Sequence, residues 1–504
     1  MKMRKTKVIS SKSMTKLEGL AYAKGSRELE FMENAGISIA KWVESFVEEK
    51  KLSRVVTLLV GKGNNGGDAY VAGLKLLEKG FRVKAFHVYN IDQCGPLCCH
   101  QKERFEKVGG TVFFVHKENE LSFGLEGIIL DGLVGTGFKG KLDEVLTDVI
   151  CRANASRLSI LSIDIPSGVC GNTGEVGTCA IQATATIYLE LPKLGFFLKD
   201  GWNYVGRLLK GEFGLPASFL SEVEPEAFLV EEQDKEFYPL LLPKISRKRN
   251  KYEAGYVIVV AGSYKMVGAG ILASYAALKS GAGIVRWYYP EGLDCLVLGT
   301  PWEIIKEPFV QESDYIKEMQ KAKSLIIGPG MGREKEEEKK IKSILSKCKI
   351  PLVIDADALF FLAKNPSAAI PSQAVLTPHT GEMNRLLESH NLIGKNIIES
   401  CQSFVEKKNT TLLLKGAPNI LFATKEVPLI LPFGNPGMAT AGAGDVLSGM
   451  LGALLAQGQS PAQAAFFACY LHGMAGDIAA EEKTVFSMTA SDILESIPKV
   501  FSSL

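Results

Sequence analysis

A glycine-rich turn in the first half of the chain carries residues that can hold a phosphate. The segment GKGNNGGDA at 61–69 follows an apolar run and precedes an amphipathic one, so it is expected to join a strand to a helix. Glycines let backbone N–H groups approach an anion, and a helix N-terminus adds partial positive charge. The turn therefore predicts an anion-binding site.

Other interpretations of this turn stay open. Gly61, Gly63 and Gly66 also satisfy the GxGxxG pattern of nicotinamide dehydrogenases, in which an acidic residue closes the next strand. Asp92 lies a little late for that role but is an alternative. A purely structural glycine-rich turn is the third interpretation. The polar residues of NNGGD stand where a simple dinucleotide turn needs only small ones, and this favours a dedicated polar site.

Two further loops follow apolar strands in the same half: DGLVGTGFKG at 131–140 and DIPSG at 164–168. Because loops after parallel strands meet at one edge of a sheet, we expect them to converge with the glycine-rich turn. Asp68, Asp131, Asp164 and Ser167 would then lie near the two asparagines. Carboxylate, amide and hydroxyl oxygens suit a hard cation and suit zinc poorly.

The second half contains a different phosphate motif. NPGMATAGAGDVLSGML at 435–451 places GAGD at the start of a helix. The backbone N–H groups of Ala443 and Gly444 can stabilise a phosphoryl group there, and Asp445 is placed to activate a substrate hydroxyl as a base.

Both halves show elements that can position these loops. Apolar strands are predicted at 55–60, 81–88, 111–115, 127–130 and 159–163, with helices at 70–77 and about 97–108. In the second half a strand at 256–261 is followed by strands ending at 328, 355, 377 and 415, and two long helices close the chain. The pattern predicts an α/β protein with parallel sheets covered on both faces.

A length of 504 residues favours two large domains. The acidic segment SEVEPEAFLVEEQDKEFYP, followed by the basic KISRKRNK, marks a boundary near 220–245. We therefore divide the chain into domains at 1–225 and 226–504.

Bulk properties exclude several function classes. The net charge of +2 supplies no field for a nucleic-acid partner, and no run of about 20 apolar residues predicts a membrane span. The N-terminal MKMRKTKVISSKSM lacks the apolar block of a secretory signal. Ten scattered cysteines favour a reducing compartment, so we expect a cytoplasmic protein. CGPLCCH at 94–100 does not form two chelating pairs, and helix filler is favoured over a metal cluster.

The first-half motifs resemble the NAD(P)H-hydrate epimerase family over about residues 15–210. Four segments of this chain match that family's characteristic motifs: MENAG at 32–36, GKGNNGGD, DGLVGTG and DIPSG. The resemblance implies a Rossmann-like three-layer domain in which Asn65, Asp131 and Ser167 ligate K⁺. Asp164 is our candidate for the residue that exchanges protons with the substrate. The implied substrate-binding residues are Asn64, Asn65, Gly66, Gly67, Asp68, Gly135, Thr136, Gly137, Phe138, Lys139, Gly140, Lys141 and Asp164.

Residues 245–500 resemble the ribokinase-like superfamily, and within it the ADP- or ATP-dependent NAD(P)H-hydrate dehydratases. The companion motifs are AGS (261–263), GPGMG (328–332), DADAL (355–359), LTPHTGE (376–382) and LLKGAPN (413–419). The resemblance implies a catalytic Asp445 and ADP or ATP as co-substrate with Mg²⁺. The residues facing the hydrated nucleotide would be Gly330, His379, Thr380, Gly381, Glu382, Met383, Asn384, Arg385 and Asp445. Those holding ADP would be Lys415, Gly416, Ala417, Pro418, Asn419, Asn435, Pro436, Gly437, Met438, Ala439, Thr440, Ala441, Gly442, Ala443 and Gly444. In a sequence without the TPHTGE motif, a histidine such as His379 is more often a structural hydrogen-bonding residue than a residue that contacts a ligand.

Together the two resemblances predict a bifunctional nicotinamide-nucleotide repair enzyme. It would interconvert the R and S forms of hydrated NADH and NADPH (NADHX and NADPHX), and dehydrate the S form with ADP or ATP. We expect small-molecule substrates, a homo-oligomer, and neither a nucleic-acid nor a membrane partner. The alternatives are a nicotinamide oxidoreductase fused to a ribokinase-like small-molecule kinase, and a non-enzymatic nucleotide-sensing or scaffold module.

Overall fold

The structure is a computed structural model that describes residues 5–115, 123–138, 140–231, 242, 245–310, 312–394 and 396–504. Lys139, one of the predicted substrate-binding residues, lies outside these ranges. The chain forms two compact units, one of Thr6–Ala227 and one that contains Phe228–Leu504.

The first unit is built on seven parallel strands. The strands of this sheet are β2 (Val55–Val60), β3 (Arg82–His87), β4 (Thr111–Phe114), β5 (Ile128–Gly132), β6 (Ser159–Ile163), β7 (Ala185–Leu189) and β8 (Arg207–Gly211). A short strand, β1 (Lys5–Val8), precedes them in the chain and is not part of this sheet. The helices of the first unit are α1 (Ser11–Ala23), α2 (Glu28–Glu49), α3 (Asn64–Glu78), α4 (Pro96–Lys107), α5 (Glu144–Ala155), α6 (Trp202–Val205) and α7 (Ala217–Glu222). The sheet order is β4-β3-β2-β5-β6-β7-β8, with every neighbouring pair parallel.

Successive residues of β2 belong to opposite cores, which is what burial on both faces requires. Leu58 lies in the core with Ile39 and Tyr70, on the α2 and α3 side. Leu59 lies in the core with Val149 and the rest of the α5 face. The predicted three-layer α/β arrangement is confirmed.

The second unit contains a larger, mixed sheet. Its strands are β9 (Ala227–Val230), β10 (Tyr256–Val260), β11 (Ile284–Pro290), β12 (Ile305–Phe309), β13 (Ser324–Ile327), β14 (Leu352–Ile354), β15 (Ala374–Leu376), β16 (Thr411–Leu414), β17 (Asn419–Phe422) and β18 (Leu429–Leu431). Its helices are α8 (Val267–Lys279), α9 (Asp294–Val297), α10 (Glu312–Met319), α11 (Lys335–Lys347), α12 (Asp357–Lys364), α13 (Thr380–Ser389), α14 (Ile397–Lys408), α15 (Ala443–Ala456), α16 (Pro461–Lys483) and α17 (Ala490–Ser503). The order is β9-β18-β17-β16-β15-β14-β13-β10-β11-β12, and only the β16–β17 and β17–β18 pairs of this series are antiparallel.

Small residues allow α8 and α15 to pack closely. A Cβ atom added at Gly449 of α15 would lie 2.2 Å from the carbonyl oxygen of Ala273 on α8. The alanine- and glycine-rich composition of both helices therefore reflects close contact between their backbones, and this contact holds the N-terminus of α15 in place.

Two sequence-based predictions about helices were wrong. Helix α3 begins at Asn64 rather than at residue 70, so the asparagines and Asp68 lie on the helix itself. The closing region has three long helices instead of two, because the small-residue segment breaks at Gly458, which has φ +90°. Ser460 then caps α16, with Pro461 at its first position. Among the described helices, none has both the length and the apolar character needed to cross a membrane.

Candidate active sites

The first unit contains a cavity of about 680 Å³ at the carboxyl edge of its sheet. Its walls come from α1, α2, the glycine-rich turn, the 133–143 loop and the segment after β6. The predicted residues that line it are Asn64, Asn65, Asp68, Gly135, Thr136, Gly137, Phe138, Lys141 and Asp164. Gly66, Gly67 and Gly140 are not among its lining residues, and Asp131 and Ser167 are fully buried outside the lining.

The glycines of the turn are needed for close packing. A Cβ atom on Gly61 would lie 1.7 Å from the Leu133 carbonyl oxygen, and one on Gly66 would lie 2.2 Å from the Gly61 carbonyl oxygen. A Cβ atom on Gly67 would meet the Met32 side chain of the MENAG segment at 2.6 Å. The turn is therefore held tightly between α2 and the loop after β5.

Asp131 and Ser167 form a buried hydrogen-bonded pair. Asp131 accepts hydrogen bonds from Ser167 Oγ (2.6 Å), Ser167 N (2.9 Å), Ser162 Oγ (2.8 Å) and Leu133 N (3.2 Å). Burial raises the pKa of Asp131, although these hydrogen bonds act in the opposite direction. The Ser167 hydroxyl also accepts a hydrogen bond from Val134 N at 2.9 Å, so this pair fixes the start of the loop that lines the cavity.

Asp164 is paired with a buried ammonium group. Lys193 is fully buried, forms an ion pair with Asp164 Oδ1 and donates a hydrogen bond to the Leu189 carbonyl oxygen at 3.1 Å. The Asp164 carboxylate also accepts a hydrogen bond from Leu189 N at 3.0 Å. The backbone of Asp164 has φ +61°, a conformation uncommon outside glycine that turns the chain sharply after β6. Lys193 carries no local sequence signature and was missed by sequence reasoning.

Two further carboxyl groups line the same cavity near Asp164. Burial raises the pKa of Glu18 on α1 to about 7; the charges of Asp164 and Glu28 add to this effect and Lys193 opposes it. Burial, with the nearby charges of Asp164 and Glu18, raises the pKa of Asp68 well above its usual value. Glu18 was also missed by sequence reasoning, because a single glutamate on an amphipathic helix is usually a solvated residue.

The mouth of the cavity carries additional polar residues. Asn64 Nδ2 donates a hydrogen bond to Glu28 Oε1 on α2 at 2.9 Å. The Lys62 ammonium lies 4.8 Å from the ring centroid of Tyr89, whose hydroxyl donates to Asp143. Two lysines, Lys62 and Lys141, thus line the wall that also contains the N-terminus of α3, which favours an anionic ligand there.

In the second unit, an aspartate and a lysine meet at the carboxyl edge of the sheet. Lys415 Nζ donates to Asp355 Oδ1 at 2.8 Å, and Ser448 Oγ of α15 donates to Asp355 Oδ2 at 2.8 Å. Burial alone would lower the pKa of Lys415, but Asp355 and the more distant charges of Glu382 and Asp445 raise it. The lysine therefore stays charged beside the start of α15.

Asp445 lies in the first turn of α15, next to this pair. The helix begins after Gly442, which has φ +93°, and a Cβ atom on Gly444 would lie 3.4 Å from Lys415 Nζ. Burial and the charge of Asp355 raise the pKa of Asp445 to about 7, while Lys415 acts in the opposite direction. A carboxyl group in this state can accept a proton near neutral pH.

The LTPHTGE segment forms the N-terminus of α13. The His379 ring accepts a hydrogen bond from Gly381 N at 3.0 Å, and Glu382 accepts one from His379 N at 2.9 Å, which together form a capping box. Burial raises the pKa of Glu382. The Met383 side chain is fully buried in the core, so only its backbone can contact a ligand. His379 thus has a structural role in addition to the predicted ligand contact.

The remaining predicted segments lie at ends of strands or helices. Lys415 N donates to the Pro378 carbonyl oxygen at 2.8 Å, which joins the LLKGAPN and LTPHTGE segments. Gly330 has φ +60°, and a Cβ atom there would lie 2.8 Å from the Met266 carbonyl oxygen. Asn435 accepts a hydrogen bond from Gly437 N at 3.0 Å and donates one to Asp477.

Comparisons with known proteins give the same two-part division. A family model described as NAD(P)H-hydrate dehydratase matches residues 257–499, and one described as YjeF-related protein N-terminus matches residues 28–195.

Relatives align over nearly the whole chain. A bifunctional NAD(P)H-hydrate repair enzyme Nnr from Moorella thermoacetica is 32% identical, covering 94% of this chain and 92% of its own. One of the same name from Coxiella burnetii is 32% identical, covering 97% and 98%. Among solved structures, an ADP/ATP-dependent NAD(P)H-hydrate dehydratase from Bacillus subtilis, co-crystallised with ATP/Mg²⁺, is 25% identical with a TM-score of 0.45, covering 53% of this chain and 96% of that chain.

Proposed function

The chain belongs to the family of bifunctional NAD(P)H-hydrate repair enzymes, and from this premise we propose how its two sites divide the work. It is an NAD(P)H-hydrate epimerase and an NAD(P)H-hydrate dehydratase in one chain. Residues 1–225 carry the epimerase and residues 226–504 the dehydratase. One observation carries this proposal: a single chain contains a carboxyl-lined cavity in the first unit and, in the second, a half-buried Asp445 in the first turn of a helix that follows Gly442.

The cavity of the first unit suits a hydrated dinucleotide. Its volume of about 680 Å³ is in the range of small-molecule sites. The N-terminus of α3, with Lys62 and Lys141, would hold the phosphates, and the 135–138 loop would cover the substrate. Asp164, which forms an ion pair with the Lys193 ammonium group, would exchange protons with the substrate so that the carbon bearing the hydroxyl group can invert.

The residues next to this cavity fit a K⁺ ion. The donors available from Asn65, Asp131 and Ser167 are oxygen atoms, which a hard monovalent cation prefers. The Asn65 side chain lies against Gly135, and its buried Nδ2 atom has no hydrogen-bond partner among the residues that the structure describes. Rotation of the amide by 180° exchanges its nitrogen and oxygen atoms and would present Oδ1 to a cation at this position. The ion would supply positive charge at the loop that covers the substrate.

In the second unit, the start of α15 would bind a phosphoryl group of ADP or ATP. Phosphorylation turns the ring hydroxyl, a poor leaving group, into a phosphate that the ring nitrogen can expel. Loss of a proton from the adjacent ring carbon then forms the C=C bond of NAD(P)H. Asp445 would accept the hydroxyl proton, and Lys415 would offset the developing negative charge. Within the described ranges, no three His, Cys, Asp or Glu residues form a metal-binding group. This fits Mg²⁺ held mainly by nucleotide phosphates.

Two assays test this division of labour. Without ADP, purified S-NADHX should equilibrate with the R form, which chiral chromatography detects. With ADP and substrate labelled with ¹⁸O at the ring hydroxyl, the label should appear in released phosphate. Label appearing in bulk water would reject the phosphorylation route, and stable S-NADHX without ADP would reject the epimerase.

A further inference from the structure

Five carboxyl groups line the epimerase cavity, and three of them, from three different elements, lie close enough for their charges to interact. Glu18 comes from α1, Asp68 from α3 and Asp164 from the turn after β6. Lys193 forms its ion pair with Asp164. In the described part of the chain, the Glu18 carboxyl has neither an ion-pair partner nor a hydrogen-bonding partner, although it lies close enough to Asp164 and Asp68 for their charges to interact. The cavity therefore holds carboxyl groups in two different electrostatic settings.

We propose that Glu18 is a second catalytic residue of the epimerase, which exchanges protons with the substrate hydroxyl in partnership with Asp164. This inference rests on the proposed function of the first unit. The assignment of Glu18 has two grounds. Glu18 and Asp164 line the same cavity from different elements, and only Asp164 forms an ion pair with an ammonium group, that of Lys193.

Inversion of a carbon that bears both a hydroxyl group and a ring nitrogen needs two proton transfers. In the first step, Glu18 gives its proton to the hydroxyl oxygen, the C–O bond breaks, water leaves, and the nitrogen lone pair forms a C=N⁺ bond. In the second step, water adds to the opposite face of this carbon, a new C–O bond forms, and Asp164 takes the released proton. The reverse reaction uses protonated Asp164 as the acid and ionised Glu18 as the base.

The charged groups around the two carboxyl groups differ: Asp164 forms an ion pair with Lys193, whereas Glu18 lies near other carboxyl groups. Burial and the charges of Asp164 and Glu28 favour the protonated form of Glu18, with a pKa of about 7, and Lys193 only partly offsets them. The other groups facing Glu18 are Asp68, a carboxyl group, and Tyr22, a phenol. Two carboxyl groups in different electrostatic environments are the arrangement that acid–base pairs use.

Asp68 is less suited to this role. Its carboxyl group is more deeply buried, and its pKa is raised well above the usual value by burial and by the charges of Asp164 and Glu18. A carboxylic acid that stays protonated can donate a hydrogen bond to the substrate, but it cannot cycle readily between acid and base near neutral pH. We therefore assign Asp68 to binding and Glu18 to proton transfer.

The test compares Glu18→Gln, Glu18→Asp and wild type in the full-length protein. Interconversion of separated NADHX epimers is measured without ADP, across a range of pH. We expect Glu18→Gln to lower kcat by about 10²- to 10⁴-fold with a smaller change in KM. The wild-type rate should fall as the pH rises above about 7, because Glu18 loses its proton, and the glutamine variant should lose this dependence. Glu18→Asp should recover part of the rate.

Two controls separate catalysis from folding. Glu30→Gln removes an exposed carboxylate on α2, paired with Arg27, and should leave the rate unchanged. ADP-dependent dehydration of S-NADHX by Glu18→Gln should equal that of wild type.

The outcomes separate this inference from the proposed function. A glutamine variant with wild-type kcat, or with a reduced kcat but the wild-type pH profile, overturns the catalytic role of Glu18. Wild-type protein that does not interconvert the epimers refutes the proposed epimerase itself, and the inference with it.

Discussion

The buried Lys193–Asp164 pair gives a prediction that couples stability to epimerase activity. Lys193→Met keeps the length and apolar stem of the side chain but removes its ammonium group. The Asp164 carboxylate then stays in the cavity wall beside two other carboxyl groups, without its ion-pair partner. We expect the variant to lose epimerase activity and to unfold more easily, while ADP-dependent dehydration is retained.

The size of the destabilisation follows from the burial of the pair. Lys193 is fully buried, and its side chain makes both the ion pair and a hydrogen bond to the Leu189 carbonyl oxygen. Breaking a buried pair by removing one partner costs about 3–5 kcal/mol. At about 2–4 °C for each kcal/mol in a domain of this size, the melting transition of the first unit should fall by roughly 6–20 °C.

Differential scanning calorimetry of the full chain, alongside the two activity assays, measures this effect. Lys199→Met is the matched control, since Lys199 and its partner Glu175 are both exposed and the pair should contribute about 0–1 kcal/mol. Adding Asp164→Asn to Lys193→Met should restore part of the stability, because it removes the unpaired charge, without restoring activity. Wild-type melting of Lys193→Met, or a double variant no more stable than the single one, would refute the reasoning.

The remaining predictions concern the cation site, the dehydratase base and the glycine-rich turn. Asp131→Asn should abolish stimulation of the epimerase by K⁺, which is measured by titrating KCl against NaCl. It should also lower the free energy of unfolding by about 1–3 kcal/mol for each buried hydrogen-bond donor left unpaired. Unchanged stimulation by K⁺ would count against the cation site. Asp445→Asn should abolish ADP-dependent dehydration and leave epimerisation intact. In wild type, the dehydration rate should rise as the pH passes about 7, because Asp445 then loses its proton and can act as a base. A dehydration rate that does not change with pH would contradict this role. Gly66→Ala should destabilise the first unit by about 1–3 kcal/mol, because its Cβ atom would lie 2.2 Å from the Gly61 carbonyl oxygen. By contrast, Gly19→Ala inside α1, with open space around it, should raise the melting temperature slightly, because alanine has the higher helix propensity.

Five of the seven strands in the sheet of the first unit were predicted from the sequence, and β7 and β8 were not. The central strands are the easiest to predict because they are buried on both faces. Mostly apolar runs such as Val55–Val60 and Ser159–Ile163 were predicted with the observed bounds. The start of α3 was not, since glycine and asparagine have low helix propensity. Tertiary packing decides this start: the glycines are where α3 approaches the Gly61 carbonyl oxygen and Met32.

The candidate sites were predictable only where residues fall in local motifs. Local patterns, either glycine-rich or at the end of a strand, contain Asp68, Asp164 and Asp445 and predict a ligand-binding loop. Glu18 and Lys193 have no such pattern, because their roles arise from contacts with distant parts of the chain. Only the folded cavity shows that Glu18 on α1 and Lys193 after β7 lie near the same Asp164 carboxylate.

The central claim is that one chain repairs both epimers of NADHX, and a single time course tests it. Purified protein is mixed with an equilibrium mixture of the R and S forms, K⁺, Mg²⁺ and excess ADP, and NADH is followed by its absorbance. We predict that wild type rapidly converts all the NADHX to NADH. The Asp164→Asn variant should convert only the S fraction rapidly, and the R fraction should then react at the slow rate of spontaneous epimerisation. A wild-type reaction that stops after the S fraction, or yields no NADH, would contradict the account.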